Sequence, residues 1–308
     1  MNLKYIYLFA LLTVSHTSFS KILIFTYAYN RPDFIQIQYN LFNKFLVEKD
    51  WEFVVYSDAP TVMMQERIKH ACNELGIQCI NFPQELHEKP YLPRTDNVSK
   101  HAPSVRHATV AQYSLNTHGF NHDDIVVLLD ADLFLTDYFS IRDYMKDCDL
   151  AGFLRADRMR YMWLGLIFMN IPALPDVRTI DLNVGIIDGQ YVDSAGHTYQ
   201  YIVNHPDVRM KYFDVVNFNG NPRWLTASFD QIGVYYVPDQ TKDRNLLHSL
   251  GFNDIACTFI SSGIPNIQYY LDNKFFHYMA ASNWENNSDT WHAQKTELFN
   301  WYMKRLLE

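Results

Sequence analysis

The sequence predicts an α/β protein built on a mainly parallel sheet with helices on both faces. Three observations point there. The first half of the 308 residues alternates apolar strand-like runs with segments of helical periodicity. Its strand runs carry no polar alternation, so both of their faces are buried. Gly and Pro are few, 11 and 12, while 48% of residues are hydrophobic and 16% aromatic, which excludes disordered and collagen-like chains.

The elements follow in order. Lys21–Tyr27 (KILIFTY) reads as a buried strand. Pro32 opens a helix whose Phe34, Ile37, Leu41 and Phe45 recur at helical spacing. Trp51–Ser57 is a second strand, Thr61–Leu75 a second helix with Gly76 as its stop, and Ile77–Phe82 a short third strand. After a polar loop, Pro83–Pro103, Ser104 is expected to cap a helix with Val105, Ala108, Ala111 and Leu115 on one face, ended by Gly119. Ile125–Leu129 (IVVLL) is a fully buried strand. The half beyond residue 135 is less regular, with short aromatic strands. In parallel sheets ligands collect at the carboxyl ends of strands, here Thr26–Asp33, Ser57–Pro60 and Asp130–Leu135.

Residues 1–20 are a different material. Lys4 precedes an apolar run, Tyr5–Val14, and Ser18 and Ser20 stand at the −3 and −1 positions before Lys21. This is the layout of a secretory signal peptide, Met1–Ser20, and implies the secretory pathway or export; without it the chain would be cytoplasmic. The run is too short to span a bilayer, which takes ~20 residues, and no transmembrane helix is expected elsewhere. With 26 basic and 34 acidic residues, net −8, the chain lacks the basic surface that nucleic-acid binding needs. The four cysteines form no C-x-x-C pair. Cys72 and Cys79 are placed either to pair across a helix-to-strand turn or to stay as buried thiols. Asn97-Val98-Ser99 and Asn286-Asn287-Ser288 are glycosylation sequons.

The segment that carries chemistry is Ile125-Val126-Val127-Leu128-Leu129-Asp130-Ala131-Asp132. Two carboxylates one residue apart at the end of a buried strand repel each other, and a divalent cation resolves the repulsion. Carboxylate oxygens suit Mn²⁺ or Mg²⁺, which in turn bind phosphate oxygens.

"VVLLDADLF" resembles the D-x-D segment of nucleotide-sugar glycosyltransferases of the GT-A fold, itself Rossmann-related. The resemblance implies a nucleoside-diphosphate-sugar donor, a divalent metal (Mn²⁺ or Mg²⁺), and a glycan, lipid or protein acceptor. It implies Asp132 as the firmer metal ligand, with Asp130 facing metal and ribose. Thr26, Tyr27, Asn30 and Arg31 after the first strand, Asp58 after the second, and Arg106 on the helix before the D-x-D match donor-binding positions. Phe275–Trp284 resembles the late H-x-x-G-x-x-K-P-W-like segment, with His277 as the third metal ligand and Trp284 in place. Ala280 replaces the Gly, and Ser282-Asn283 replaces the Lys-Pro. Asp149–Asn170 looks like the strand pair lining the acceptor, with Trp163 and Gly165 at the sugar; Asp181-Leu182-Asn183-Val184-Gly185 is the other candidate for that part. Phe229-Asp230-Gln231 resembles the acidic element near the reacting carbon, which makes Asp230 the candidate base. Whether transfer inverts or retains is left open by the residues.

The implied organisation is a single glycosyltransferase domain, 21–308, with a nucleotide-sugar half to residue 135 and an acceptor half, 136–308. Two other classes share some features. A secreted carbohydrate-binding protein would use the aromatic excess, notably Trp163, Trp224, Tyr278 and Trp284, without catalysis. A phosphatase-type hydrolase would use a D-x-D-x-T, but Phe134 stands where the Thr would be.

Overall fold

The computed structural model describes residues 20–88, 102–156, 159–218, 234–236, 243–263, 267–279, 281 and 289–308. The signal-like segment to residue 19, both sequons, Trp224, Asp230 and Trp284 lie outside them.

The chain order is β1 (Ile22–Ala28), α1 (Pro32–Phe45), β2 (Trp51–Ser57), α2 (Val62–Leu75), β3 (Gln78–Asn81), α3 (Pro103–Thr117), β4 (Ile125–Leu129) and β5 (Leu133–Leu135). There follow α4 (Ile141–Met145), β6 (Leu150–Ala156), β7 (Arg160–Asn170), β8 (Gly185–Ile187), β9 (Gln190–Val192), α5 (Thr198–Asn204), β10 (Met210–Tyr212) and β11 (Val215–Asn217). The remainder is β12 (Val234–Tyr236), α6 (Arg244–Ser249), α7 (Asp254–Ser261), β13 (Ile267–Tyr270), β14 (Phe275–Tyr278) and α8 (Asp289–Leu307).

A seven-stranded sheet runs in the order β10-β6-β7-β4-β1-β2-β3. Strands β4, β1, β2 and β3 pair in parallel, as do β10 and β6, while β7 is antiparallel to both its neighbours. The fold is therefore α/β with a mainly parallel sheet. Every residue of β1 and β4 is buried. Their side chains alternate between two cores, Ile24 and Val127 facing α1, α2 and α8, and Phe25 and Leu128 facing α3 and α5. Two-sided burial is what removed polar alternation from these strands.

Local chemistry sets the helix ends. Pro32 occupies the first turn of α1. Thr61 caps α2 by accepting from the Met64 amide, and Gly76 ends it at φ 66°, letting the Ile77 amide close back on the Cys72 carbonyl. Ser104 does not cap α3. That helix begins one residue earlier with Pro103 in its first turn and Ala102 before it, because proline's fixed φ and missing N–H suit the opening turn. It ends at Thr117, before Gly119, which starts a short 3₁₀ turn. All four cysteines are free thiols.

The irregular half adds β6, β7 and β10 to the seven-stranded sheet, pairs β8 with β9, and joins β5 in a second sheet, β12-β11-β13-β14-β5. Its last strand, β5, follows directly on the Asp130–Asp132 turn and pairs antiparallel with β14, setting His277 opposite Leu133. The turn is thus the hinge between the two sheets, and the halves before and after residue 135 share that pairing. Among the described residues, no helix is long and apolar enough to cross a membrane.

Candidate metal centre

The Asp130–Asp132 turn is held from three sides. The Asp130 amide donates to the Gly165 carbonyl on β7 at 2.8 Å. From the buried face of α1, Gln38 donates its amide to the carbonyls of Asp130 and Leu133 at 2.8 and 2.9 Å, and accepts from the Thr26 hydroxyl at 3.0 Å. At the end of β14 the Tyr278 amide donates to the Asp132 carbonyl at 2.8 Å, and just beyond it the Ala281 amide donates to Asp132 Oδ2 at 3.2 Å. A turn carrying two acids is fixed before any ligand arrives.

Asp132 is only 6% exposed, and its Oδ1 makes no hydrogen bond. That oxygen stands 3.2 Å from Nε2 of buried His277. Asp130, Asp132 and His277 each bring one ligand atom into a set whose members all lie within 4.8 Å of one another. The other imidazole nitrogen, Nδ1, faces Gln268 Oε1 at 3.3 Å. Gln268 Oε1 also accepts from the Tyr270 hydroxyl, so it is an acceptor and Nδ1 carries a proton. A neutral ring would then turn its Nε2 lone pair to the carboxylate and a protonated ring an N–H, so the contact is one that calls for positive charge between the two groups.

Burial pushes Asp130 up to about 7, with Asp132 adding to it. Burial also pushes Asp132 upward, but His277, the Ala281 amide and Lys295 outweigh it and hold Asp132 below the ordinary carboxylate range. His107 on α3 lies with Nδ1 3.9 Å from Asp130 Oδ2, and burial drives its pKa down to about 4 against the pull of Asp132, Asp193 and Asp58, so the ring is neutral. Lys295 on α8 is lowered to about 8 by burial, partly offset by Asp132.

Trp163 and Gly165 sit beside this centre. The Trp163 ring stacks on Tyr270 (5.9 Å, 16°) and lies 5.1 Å from the His277 ring. A Cβ on Gly165 would come within 1.8 Å of the Trp163 ring. The glycine therefore leaves room for the neighbouring indole rather than for a ligand; residues two apart share a face of the strand.

The other predicted positions fall nearby in different states. Thr26 is buried against Gln38. Tyr27 is buried, with its hydroxyl on Ser114 at 3.0 Å. Asn30 is partly buried between β1 and α1, and Arg31 pairs with Asp33 at 2.6 Å over the Phe34 ring. Asp58 and Arg106 are bound to each other: the guanidinium donates to Asp58 Oδ1 at 2.8 Å and Oδ2 at 3.1 Å, and His87 and Gln84 reach Oδ1 at 2.8 Å. Asp181 pairs with His197 at 3.2 Å. Gln38, His87, Gln268, Tyr270 and Lys295 were not singled out from the sequence. Only Gln38 left a cue, as a polar residue among the apolar positions of α1.

No protein-family profile and no curated protein matches the chain. Solved structures do. The apo structure of the bifunctional glycosyltransferase WbbM matches 66% of this chain at 11% identity and TM-score 0.41. The mannosyltransferase PcManGT from Pyrobaculum calidifontis, in complex with GDP-Man and Mn²⁺, matches 76% at 13% identity and TM-score 0.39. The galactosyltransferase LgtC, with donor and acceptor sugar analogues, matches 90% at 14% identity and TM-score 0.39. The matches span 41% of WbbM, 63% of PcManGT and 95% of LgtC.

Proposed function

We propose that the chain is a metal-dependent glycosyltransferase that moves a sugar from a nucleoside-diphosphate sugar to an acceptor hydroxyl. One observation carries the reading: Oδ1 of Asp132, buried and without a hydrogen bond, faces Nε2 of His277, beside Asp130, where the parallel strands end. Two carboxylates and an imidazole fit Mn²⁺ better than Mg²⁺, which prefers oxygen alone. Asp130, Asp132 and His277 would hold the ion, which when bound neutralises charge on a leaving diphosphate.

The chain's own residues do the rest in this reading. The Gln38 and Ala281 hydrogen bonds fix the carboxylates, so little reorganisation is left for the reaction. Tyr27, Asn30 and Arg31 border the donor, with Thr26 supporting the turn through Gln38. The Asp58–Arg106 pair offers the donor a braced polar edge. The Trp163 ring gives an acceptor sugar a flat apolar face, and Gly165 makes room for that ring. Asp230 is the proposed base for the acceptor hydroxyl. Residues 21–135 would serve the donor and 136–308 the acceptor, after removal of Met1–Ser20 on export.

Calorimetry with a panel of nucleotide sugars, with and without Mn²⁺, tests the reading. Saturable binding of one donor that is lost in excess EDTA is the expected result. Binding of glycans without any nucleotide sugar would favour a carbohydrate-binding protein, and no binding of either would overturn the reading.

A further inference from the structure

Lys295 is 3% exposed, on the face of α8 that packs against the end of β14. Burying an ammonium group is costly unless its donors are used. Lys295 Nζ donates to the Met279 carbonyl at 2.8 Å and lies 4.3 Å from the centroid of the Tyr278 ring. Phe299, one helical turn further along α8, stacks on the same ring at 4.6 Å and 16°. The segment gripped in this way delivers both amides that fix Asp132, from Tyr278 to its carbonyl and from Ala281 to Oδ2.

We propose that Lys295 is a positioning residue of the metal centre, holding the Tyr278–Ala281 segment so that its amides set the orientation of Asp132. The proposal rests on the metal reading above only for what Asp132 is oriented to do. Lys295 acts on the segment through the Met279 carbonyl, and its charge also favours the ionised form of Asp132. A methionine would fill the same space and keep the ring contact but would lose the donor. An arginine would keep a donor.

The test uses the full chain and compares Lys295→Met, Lys295→Leu and Lys295→Arg with Phe299→Leu, which loosens the packing of α8 but spares the hydrogen bond. Amide exchange of Ala281 is measured first, without metal. Faster exchange in K295M and K295L but not in K295R or F299L is expected. Mn²⁺ affinity is measured next, with a loss of about tenfold or more expected in K295M, typical of removing a group that orients a ligand. Should K295M not fold, K295L carries the comparison. Unchanged Ala281 exchange in the folded variant overturns the proposal, as does an equal effect in F299L. A wild-type chain that binds no Mn²⁺ overturns the metal reading instead, and leaves the exchange result to judge Lys295.

Discussion

Asp132 Oδ1 and His277 Nε2 stand 3.2 Å apart, while the other nitrogen of His277 faces Gln268 Oε1 at 3.3 Å. In the proposed reading these two groups would hold a divalent ion. Asp132→Asn should keep the Ala281 hydrogen bond and the fold while removing the charged ligand. Transfer is expected to fall by roughly a hundredfold or more, with the thermal midpoint of the metal-free protein lowered, because the fold favours the charged form of Asp132. Full activity in D132N would exclude the role of this carboxylate.

In the proposed reading, Asp130 makes ion binding depend on pH. Its folded pKa is about 7 against an ordinary 3.8, so below pH 7 a proton competes with the ion. Mn²⁺ affinity should fall by about tenfold per unit as pH drops well below 7, with about one proton released per ion bound there and about half of one near neutrality. The metal-free stability has the opposite sign. A carboxyl whose folded value is raised binds its proton more tightly in the fold, so its stabilisation is present below 3.8 and is lost as pH rises from 3.8 through 7. Asp130→Asn should flatten this slope in denaturant titrations between pH 4 and 7. An unchanged slope would show that other groups set it.

Gln38 links α1 to the acidic turn through two donated hydrogen bonds. Gln38→Leu matches the apolar surroundings but leaves two buried carbonyls without that donor. A loss of about 2–4 kcal/mol in urea unfolding is expected, with a larger fractional loss in Mn²⁺ affinity than a remote core variant of equal instability shows. Wild-type stability in Q38L would mean the turn holds itself.

Gly165→Ala places a methyl inside the Trp163 ring. The indole must swing off Tyr270, at a cost of about 1–3 kcal/mol for overpacking. The change should appear as a shift in tryptophan fluorescence and a raised KM for acceptor with donor affinity little altered. An equal loss in both would place the damage in the fold as a whole.

The parts legible in the sequence were those with local causes. Continuous apolar runs predicted β1, β2 and β4, and the carboxylate pair after β4 marked the site because buried strands do not end that way without reason. His277 was legible only through a family resemblance, since a histidine in an aromatic strand has no distinguishing pattern of its own. Gln268, Tyr270 and Lys295 left no local signal. They come from strands of four residues and a helix whose partners lie far along the chain. The purpose of Gly165 was readable in principle, from a tryptophan two residues earlier on the same strand face. Ser104 was displaced as a cap by the proline beside it, a competition between two valid start signals.

The pairing of β5 with β14 sets a timetable for biosynthesis. Asp132 and the Ala281 amide that braces it are 149 residues apart. At synthesis rates of ~5–20 residues per second, the acidic turn waits ~7–30 seconds for its partners. Through that interval two like charges sit at the end of an apolar strand whose second sheet does not yet exist. A nascent chain of this protein therefore carries its central strands early, and the partners that brace Asp132 late.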